Sequence, residues 1–479
     1  MSEVYAPGLS LSDIPDNLTI PQFFLDETHP LRPVSTSNTP WLIEDATGRE
    51  IGFEEVRASP ANPAYTADEL LHQITLTNTQ LLVTHSASLP AALSAAKRAG
   101  LPLDRVVIID DRPVSVSPVH ATIDELVRAG HVKPKIFIER QLMPGESKTK
   151  LAFLCFSSGT TGKPKAVAVS HYAMIANVIQ VRLAIGKAPR YFPGDVVLGD
   201  VFGLVVVLHV HMWLAGTVVV VPKFSFEGFL KSIQRYRVKH LLVVPPMAVL
   251  MCKHPLTKNY DLTSVRYLMS GAAPLTAELE RHLASVLPQC SIGQGYGMTE
   301  TFTTVALSPN DQQVATAASA GVLIPGIVAR VVKPDGTFAA PGEPGELVVR
   351  GPSMALGYFK NPTATKETFI DGWVRTGDEV ILNEKQELFI LDRIKEILKV
   401  KGFQVAPAEL EGHLLDHPDV VDVCVVGIPH DYHGESPLAF VVPSAAAQAR
   451  IRQNPSEEAK IKAQLIKASV YASCLCDFV

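Results

Sequence analysis

The chain has few of the features that mark secreted, membrane-spanning or nucleic-acid-binding proteins. Its six cysteines, at positions 155, 252, 290, 424, 474 and 476, form no disulfide framework, which favours a reducing, intracellular compartment. No uninterrupted apolar run reaches membrane-spanning length, and the run Val205–Ala215 contains two histidines, which predicts a core helix. The net charge of -5 gives no reason to propose a nucleic-acid partner.

Targeting signals and covalent catalytic patterns are missing as well. The first residues, Met1–Pro7, do not form a secretory leader, and Asp477–Val479 is not a peroxisomal signal, so we expect a cytoplasmic protein. No Ser-His-Asp or Cys-His arrangement is present. The pair Cys474 and Cys476 lacks a second pair of ligands and is therefore weak support for a metal site.

What the chain does contain is an alternation of apolar strand-forming runs and amphipathic helical runs. With 479 residues, 47% of them hydrophobic, it should form more than one domain with a sizeable core. The alternation predicts an α/β fold with a mostly parallel sheet covered by helices. The predicted strands are 80–84, 105–110, 217–221, 240–244, 265–269 and 387–391, and the predicted helices are 87–99, 226–236, 276–287 and 456–468.

One loop suggests a polyphosphate ligand. The segment Ser157–Lys165 lies between two apolar runs, Leu151–Phe156 and Ala166–Val169. Its glycines let the backbone approach a phosphate, its hydroxyls donate to phosphate oxygens and its lysines neutralise charge. The spacing is not that of a Walker A motif, because the loop joins two strands rather than a strand and a helix. The alternative is that this segment is an ordinary surface turn. The loop residues that would hold the polyphosphate are Ser157, Ser158, Gly159, Thr160, Thr161, Gly162, Lys163 and Lys165.

Five motifs in one order resemble those of the AMP-forming adenylating enzymes. This superfamily contains acyl-CoA synthetases, peptide-synthetase adenylation domains and firefly luciferase. The last motif, especially Gly402–Glu409, is similar to the 4-coumarate:CoA ligase branch. The motifs are Ser157–Lys165, Ser270–Leu275, Gln294–Glu300, Trp373–Asp378 and Asp392–Glu411.

The resemblance implies two domains. Residues 1–391 are expected to form a large adenylating domain of parallel-rich sheets covered by helices, and residues 392–479 a small α+β lid. A charged segment such as Asp392–Glu396 is usually a solvated turn, but here it matches the hinge of the family. The Ser270 and Gln294 motifs follow strand ends, so both are expected to face one cleft.

Residue types suggest how the nucleotide would be held. A carboxylate accepts two hydroxyl hydrogens, which makes Asp378 a candidate for the ribose, and the resemblance implies the same role. The resemblance also makes Glu300 the Mg²⁺ ligand and Thr299 a contact of the AMP phosphate. Tyr296 is expected to stack on or border adenine, although a core aromatic beside two glycines is the alternative. The residues expected beside it are Ala272, Gln294 and Gly295.

The lid supplies a second group of expected contacts. By resemblance, Arg393 touches ribose or phosphate, Lys395 and Lys399 approach the adenylate, and Gln404 contacts AMP. Lysines at such positions are as often ordinary solvated charges. Thr160, Glu300 and Lys399 are the expected catalytic residues. The expected CoA contacts are Lys223, Lys401 and Gly402.

The implied activity is that of an acid-thiol ligase, for which secondary metabolism is one expected setting. A carboxylic acid, aryl or medium-chain, attacks the α-phosphate of ATP to give acyl-AMP, and CoA then displaces AMP. ATP, Mg²⁺ and CoA are the implied cofactors and co-substrates. Two alternatives stay open: a degenerate adenylate-binding protein with little turnover, and a ligase that loads a carrier protein.

The sequence departs from the family pattern in three places. It is shorter than the pattern after Arg57. It is also shorter after Gly199, where the family has a histidine that gates the acyl pocket. No counterpart follows Ala468 for the final lysine segment, so an incomplete lid and impaired adenylation are expected.

Overall fold

The computed structural model contains two compact units, Met1–Val56 with Leu142–Val479, and Arg57–Gln141. No helix in the described part of the chain is both long and apolar enough to cross a membrane. The residues that the structure describes are 3–7, 11, 13–26, 29–32, 42–44, 50–51, 66–109, 120–132, 141–157, 164–185, 194–199, 203–221, 224–308, 316–400, 403–405, 407–415, 417–430 and 434–472.

Strands and helices alternate in the first two thirds of the described chain, and strands dominate from residue 291 to residue 405. The strands are β1 (Val4–Tyr5), β2 (Leu42–Glu44), β3 (Glu50–Ile51), β4 (Leu82–Thr84), β5 (Val106–Ile108), β6 (Leu151–Ser157), β7 (Lys165–Ser170), β8 (Val196–Gly199), β9 (Thr217–Val220), β10 (His240–Val243), β11 (Tyr267–Ser270), β12 (Ser291–Met298), β13 (Thr303–Leu307), β14 (Val322–Leu323), β15 (Val328–Val332), β16 (Pro344–Arg350), β17 (Gly357–Tyr358), β18 (Phe369–Ile370), β19 (Trp373–Leu382), β20 (Leu388–Arg393), β21 (Leu398–Val400), β22 (Phe403–Val405), β23 (Val420–His430) and β24 (Gly434–Pro443). The α-helices are α1 (Ala67–Thr77), α2 (Leu89–Ala99), α3 (Ile123–His131), α4 (His171–Ile185), α5 (His211–Trp213), α6 (Phe226–Tyr236), α7 (Pro245–Lys253), α8 (Ala277–Val286), α9 (Pro362–Thr368), α10 (Pro407–Leu415), α11 (Ala445–Gln453) and α12 (Ser456–Ala472).

A nine-stranded sheet forms the centre of the larger unit. Its order is β14-β13-β12-β11-β10-β8-β9-β2-β3, with parallel pairs from β12 to β2 and antiparallel pairs at both ends. Alternate residues along its strands belong to two different cores, because successive side chains point to opposite faces. One core includes Leu242 and residues of α4, and the other includes Leu241 and residues of α6, α7 and α8. The predicted parallel-rich sheet covered by helices is therefore confirmed.

Local sequence explains why helix α6 begins and ends where it does. The Ser225 hydroxyl accepts a hydrogen bond from the Gly228 backbone N–H at 3.2 Å, which satisfies one of the free donors of the first turn. Phe229, Leu230 and Ile233 form its buried face. The prediction of a helix over 226–236 is confirmed at both ends.

The loop predicted to bind phosphate does join two strands. Strands β6 and β7 are antiparallel, and Ser157 pairs with Lys165 across them. Strand β17 adds a third strand through the pairs Gly357 with Ala168 and Tyr358 with Val167. Residues 158–163 of the loop lie outside the described residues.

The run Val205–Ala215 is not the regular core helix that the sequence predicts. Residues 203–210 form a π-helical segment that leads into the short helix α5. The burial that was expected is present, since Val206, Val207, Val210 and Trp213 belong to the core. Its many β-branched residues limit α-helical packing, which agrees with the departure from regular geometry.

A second sheet carries the Trp373–Asp378 motif. It is antiparallel, with the order β1-β15-β16-β19-β18, and β20 pairs with β19. Its buried side chains, among them Leu347, Val374 and Leu388, join the same core as α4. The register places Asp378 opposite Arg393, so β20 brings the charged segment after it next to the motif.

The C-terminal residues form a small sheet with helices on one face. Its order is β22-β21-β24-β23, and its core contains residues of α10 and α12. The helix predicted over 456–468 is confirmed and extends to Ala472. Helix α10 ends at Leu415. The Lys253 ammonium group donates to the carbonyl oxygens of Leu415 and of His417, which follows the helix. The domain boundary at Asp392 stays a prediction.

The smaller unit contains the predicted strand, helix and strand of the first third of the chain. Strands β4 and β5 are parallel, and α2 supplies Leu89 and Ala96 to their core. Helix α1 begins with a capping box in which Thr66 and Glu69 exchange hydrogen bonds.

Candidate active site

A cleft of about 1290 Å³ opens at the carboxyl ends of β11 and β12. In open α/β sheets this edge is where ligands bind. Its walls come from the β6–β7 hairpin, from β12 and β13, from the β19 segment around Gly377, and from the turn after β20. All five sequence motifs therefore contribute residues to one cavity.

The Asp378 carboxylate is buried next to the cleft, since its hydrogen-bond partner Tyr296 and its sequence neighbours Gly377 and Glu379 line the cleft. It accepts a hydrogen bond from the Tyr296 hydroxyl at 2.6 Å, and Arg393 Nε lies 3.6 Å from its other oxygen. Only 7% of the residue is exposed, and this burial raises the pKa of Asp378, although the Tyr296 bond and the Arg393 charge act in the opposite direction. Burial, and then the nearby Asp378 charge, raise the pKa of Tyr296 well above its usual value. The pair is thus fixed before any ligand binds.

The backbone around Asp378 is held by its neighbours on β16 and β19. The Thr376 hydroxyl donates to the Leu347 carbonyl oxygen at 2.7 Å and accepts from the Asp378 N–H at 3.1 Å. The Glu346 carboxylate accepts from the Gly377 N–H at 3.3 Å and from two nitrogens of Arg375. These bonds orient Asp378 toward Tyr296.

The turn after Tyr296 requires glycine. A Cβ at position 297 would lie 1.5 Å from the Thr303 carbonyl oxygen, because β12 and β13 approach closely at an irregularity in their register. The next residues, Thr299–Thr301, form one 3-10 turn that places Thr299 and Glu300 on the cleft wall. The spacing of the Gln294–Glu300 motif thus serves a sharp reversal of the chain.

Glu300 and Lys165 both contact Tyr358, a residue that sequence reasoning missed. The Tyr358 hydroxyl donates to Glu300 Oε1 at 2.7 Å, and the Lys165 ammonium group lies 4.9 Å from the centre of the Tyr358 ring. Burial raises the pKa of Tyr358, as does the Glu300 charge. A tyrosine after a glycine carries no local signal of such contacts, and only its pairing with β7 could have indicated them.

The Ser157 hydroxyl lines the same wall. Its oxygen is buried and has no hydrogen-bond partner among the described residues. Buried hydroxyls normally have a partner, so this one is suited to a ligand atom in the cleft. On the same strand, burial raises the pKa of the Cys155 thiol to about 11, which makes it a poor nucleophile at neutral pH.

Gln294 and Ala272 occupy different positions. Ala272 lines the cleft with a positive φ of 70°. The Gln294 amide instead turns back, accepts from the Leu275 N–H at 2.8 Å and donates to Glu280 Oε1 at 2.9 Å. Its side chain therefore fixes the loop that carries Ala272, while the next residue, Gly295, faces the cavity.

The lid residues are described in part. Arg393 and Lys395 line the cleft. The backbones of Lys399 and Gln404 pair in register between β21 and β22. The remaining predicted contacts lie outside the described residues; they are Ser158, Gly159, Thr160, Thr161, Lys223, Lys401 and Gly402.

The residues present suit a magnesium ion that is shared with a nucleotide. No group of three or more histidine, cysteine, aspartate or glutamate residues that could hold a metal occurs among the residues that the structure describes. Mg²⁺ commonly uses one or two carboxylates together with substrate phosphates. Glu300 is such a carboxylate: Oε1 is bonded to Tyr358, and within the described part of the chain Oε2 accepts no hydrogen bond.

Comparison with known proteins identifies the family of the chain. The family model for AMP-binding enzymes matches residues 55–359, and the model for the AMP-binding enzyme C-terminal domain matches residues 409–470. The chain belongs to the AMP-binding enzyme family.

Curated relatives narrow the class within this family. The chain is 34% identical over 404 residues to 4-coumarate-CoA ligase 1 of Arabidopsis thaliana. The matched region covers 82% of this chain and 71% of the relative. It is 36% identical over 403 residues to acyl-CoA ligase AFT1-1 of Alternaria alternata, with 81% and 69% covered. The crystal structure of the anthranilate CoA ligase AuaEII in complex with anthranoyl-AMP has the same fold, with a TM-score of 0.76, 22% identity, and 92% and 91% of the two chains covered. These relatives support a ligase.

Proposed function

We propose that the protein is an ATP-dependent acyl-CoA ligase that activates a carboxylic acid as acyl-AMP and transfers the acyl group to CoA. The observation that carries the proposal is that one cleft is lined by Tyr296, which binds the buried Asp378, by Glu300, and by the Ser157 hydroxyl, which has no hydrogen-bond partner among the described residues. The names of the curated relatives, 4-coumarate-CoA ligase and acyl-CoA ligase, support it.

Each part of ATP has a matching group in the cleft. Asp378 would accept hydrogen bonds from the ribose hydroxyls, and Tyr296 would lie against adenine. Ser157 and Thr299 would donate to phosphate oxygens, and Lys165 would neutralise their charge. Glu300 and the phosphates would together hold Mg²⁺, and the bound ion would offset the negative charge of the phosphates.

The reaction would proceed in two displacements without a protein nucleophile. In the first, a carboxylate oxygen bonds to the α-phosphorus of ATP and pyrophosphate leaves. In the second, the CoA thiol loses its proton, its sulfur bonds to the acyl carbon, and AMP leaves with the bonding electrons. Lys165, Arg393 and Lys395 would hold the phosphate groups and stabilise negative charge, and burial would exclude water from the acyl-adenylate.

The apolar part of the cleft supports an uncharged acyl group. Val206, Met269, Phe302 and Leu307 are among the residues that line it. A flat aryl or a medium-chain alkyl group would bury well against these residues. We therefore propose a carboxylic acid of one of these two kinds as the substrate.

The test is product analysis with ATP, Mg²⁺, CoA and a panel of carboxylates such as 4-coumarate, benzoate, hexanoate and malonate. We expect pyrophosphate release and thioester formation with an aryl or medium-chain acid, and neither with malonate. AMP binding without pyrophosphate release would contradict the proposal and favour an adenylate-binding protein. Acyl-AMP formation without thioester would replace CoA by another acyl acceptor, such as a carrier protein.

A further inference from the structure

Tyr358 joins the two charged groups that would act on the phosphates of the nucleotide. Its hydroxyl donates to Glu300 Oε1 at 2.7 Å, and both residues are buried, with exposures of 8% and 5%. A hydrogen bond to a buried carboxylate is among the stronger ones in proteins. This hydrogen bond fixes Oε1 of Glu300 and thereby also the direction in which Oε2 points.

The face of the same ring receives Lys165. The ammonium nitrogen lies 4.9 Å from the ring centre, within the distance at which the ring attracts a cation. Lys165 is the last residue of the predicted phosphate loop and the first of β7. The ring therefore restrains a flexible lysine side chain at the edge of the cleft.

The surroundings leave the Tyr358 ring little freedom. Its backbone N–H donates to the Thr365 hydroxyl at 2.9 Å, and its ring packs edge-on against Phe369 at 5.7 Å. The preceding residue, Gly357, has no space for a side chain, because a Cβ there would lie 2.7 Å from the Thr365 methyl group. Backbone pairing with Val167 of β7 completes the support.

From these contacts we infer that Tyr358 is a positioning residue of the nucleotide site, which holds Glu300 for the metal and Lys165 for the phosphates through two separate interactions. The inference rests on the proposed function. The hydroxyl group acts on Glu300 and the ring acts on Lys165, so the two contributions can be separated by substitution.

The experiment compares Tyr358→Phe and Tyr358→Leu by calorimetry, with AMP in the absence of metal and with ATP over a range of Mg²⁺ concentrations. Tyr358→Phe keeps the ring and removes the hydroxyl. We expect it to raise the Mg²⁺ concentration needed for ATP binding by about 3- to 10-fold and to leave AMP affinity within about twofold. Tyr358→Leu removes both interactions and should weaken metal-free ATP binding as well.

Tyr172→Phe is the matched control. Tyr172 also has a lysine over its ring, with Lys148 at 5.2 Å, but it lies on α4 and is not part of the cleft wall. This substitution should change neither the affinity for AMP nor the binding of ATP. A Tyr358→Phe protein with the wild-type Mg²⁺ dependence, or with equal losses for AMP and for ATP with Mg²⁺, would overturn the inference. If wild-type protein binds no adenine nucleotide, the proposed function fails and this inference with it.

Discussion

Two rings of the nine-stranded sheet, Tyr296 near the carboxyl end of β12 and His240 at the start of β10, each lie beside a buried carboxylate, and of the two rings Tyr296 lines the cleft. At the carboxyl end, Asp378 of β19 accepts from Tyr296 of β12, and the cleft is lined by Tyr296 and by the neighbours of Asp378 in sequence, Gly377 and Glu379. At the amino end, Asp195 precedes β8 and lies 3.1 Å from the ring nitrogen of His240, the first residue of β10. The same chemical pairing therefore occurs in two settings.

The amino-end pair belongs to a buried group. His240 and His211 are almost fully buried, their ring centres are 6.3 Å apart, and His211 Nδ1 contacts the Val206 carbonyl oxygen at 2.5 Å. Asp195, His211 and His240 are not among the residues that line the cleft. A buried polar pair is thus a sign of function only where it borders a cavity, and elsewhere its effect is on stability.

The largest expected effect concerns the carboxyl end. Substituting Asp378 by Ala removes the acceptor for the ribose hydroxyls and should weaken AMP binding by about 1.5–3 kcal/mol, or roughly 10- to 150-fold. The free energy of unfolding should also fall, because the buried Tyr296 hydroxyl loses its acceptor, but relief of the Asp378 desolvation offsets part of this loss. Calorimetry with AMP and chemical unfolding measure the two quantities.

The control for this change is Asp261→Ala, which removes an exposed carboxylate that pairs with Arg237. It should leave AMP affinity unchanged. Wild-type AMP affinity in folded Asp378→Ala protein would show that the cleft wall does not hold the ribose.

Sequence patterns predicted the sheet and its helices better than the contacts of the site. Helix α6 was predictable because Ser225 caps it and its apolar residues recur at helical spacing. The strand character of β6 and β7 was evident from two apolar runs. Long-range pairings were not: β1 pairs with β15, which lies far away in the chain, and no local pattern indicates this partner.

The site shows the same limit. Asp378 and Tyr296 were predicted as nucleotide contacts, but their direct hydrogen bond joins residues 82 positions apart. The orientation of Gln294 toward Glu280 depends on how α8 packs, and the role of Tyr358 depends on the pairing of β17 with β7. Motifs identify residue types, whereas packing decides which atom each side chain contacts.

The second prediction concerns the pH dependence of stability at the amino end. Burial lowers the pKa of His211 to about 3, and burial also lowers that of His240. In the unfolded chain a histidine takes up a proton near pH 6.5, so below that pH the unfolded state binds more protons and stability is lost as the pH falls. Between pH 7.5 and pH 5, wild-type protein should lose about 2 kcal/mol more unfolding free energy than His211→Gln protein.

Urea unfolding at the two pH values measures this difference, and His282→Gln, at an exposed position on α8, is the control. That variant should follow the wild-type pH dependence. Equal pH dependence in His211→Gln and wild-type protein would mean that His211 is accessible to protons in the folded state.

The smallest expected effect comes from Asp195→Asn. The amide oxygen of Asn can still accept from His240, so the free energy of unfolding should fall by only about 0.5–1.5 kcal/mol. The change removes a negative charge that supports the protonated form of His240, so acid sensitivity should increase slightly. AMP affinity should stay within about twofold of wild type, because neither Asp195 nor His240 lines the cleft. A large loss of AMP affinity in folded Asp195→Asn protein would contradict the separation of the two ends, since it would require the buried group around His240 to control the geometry of the cleft.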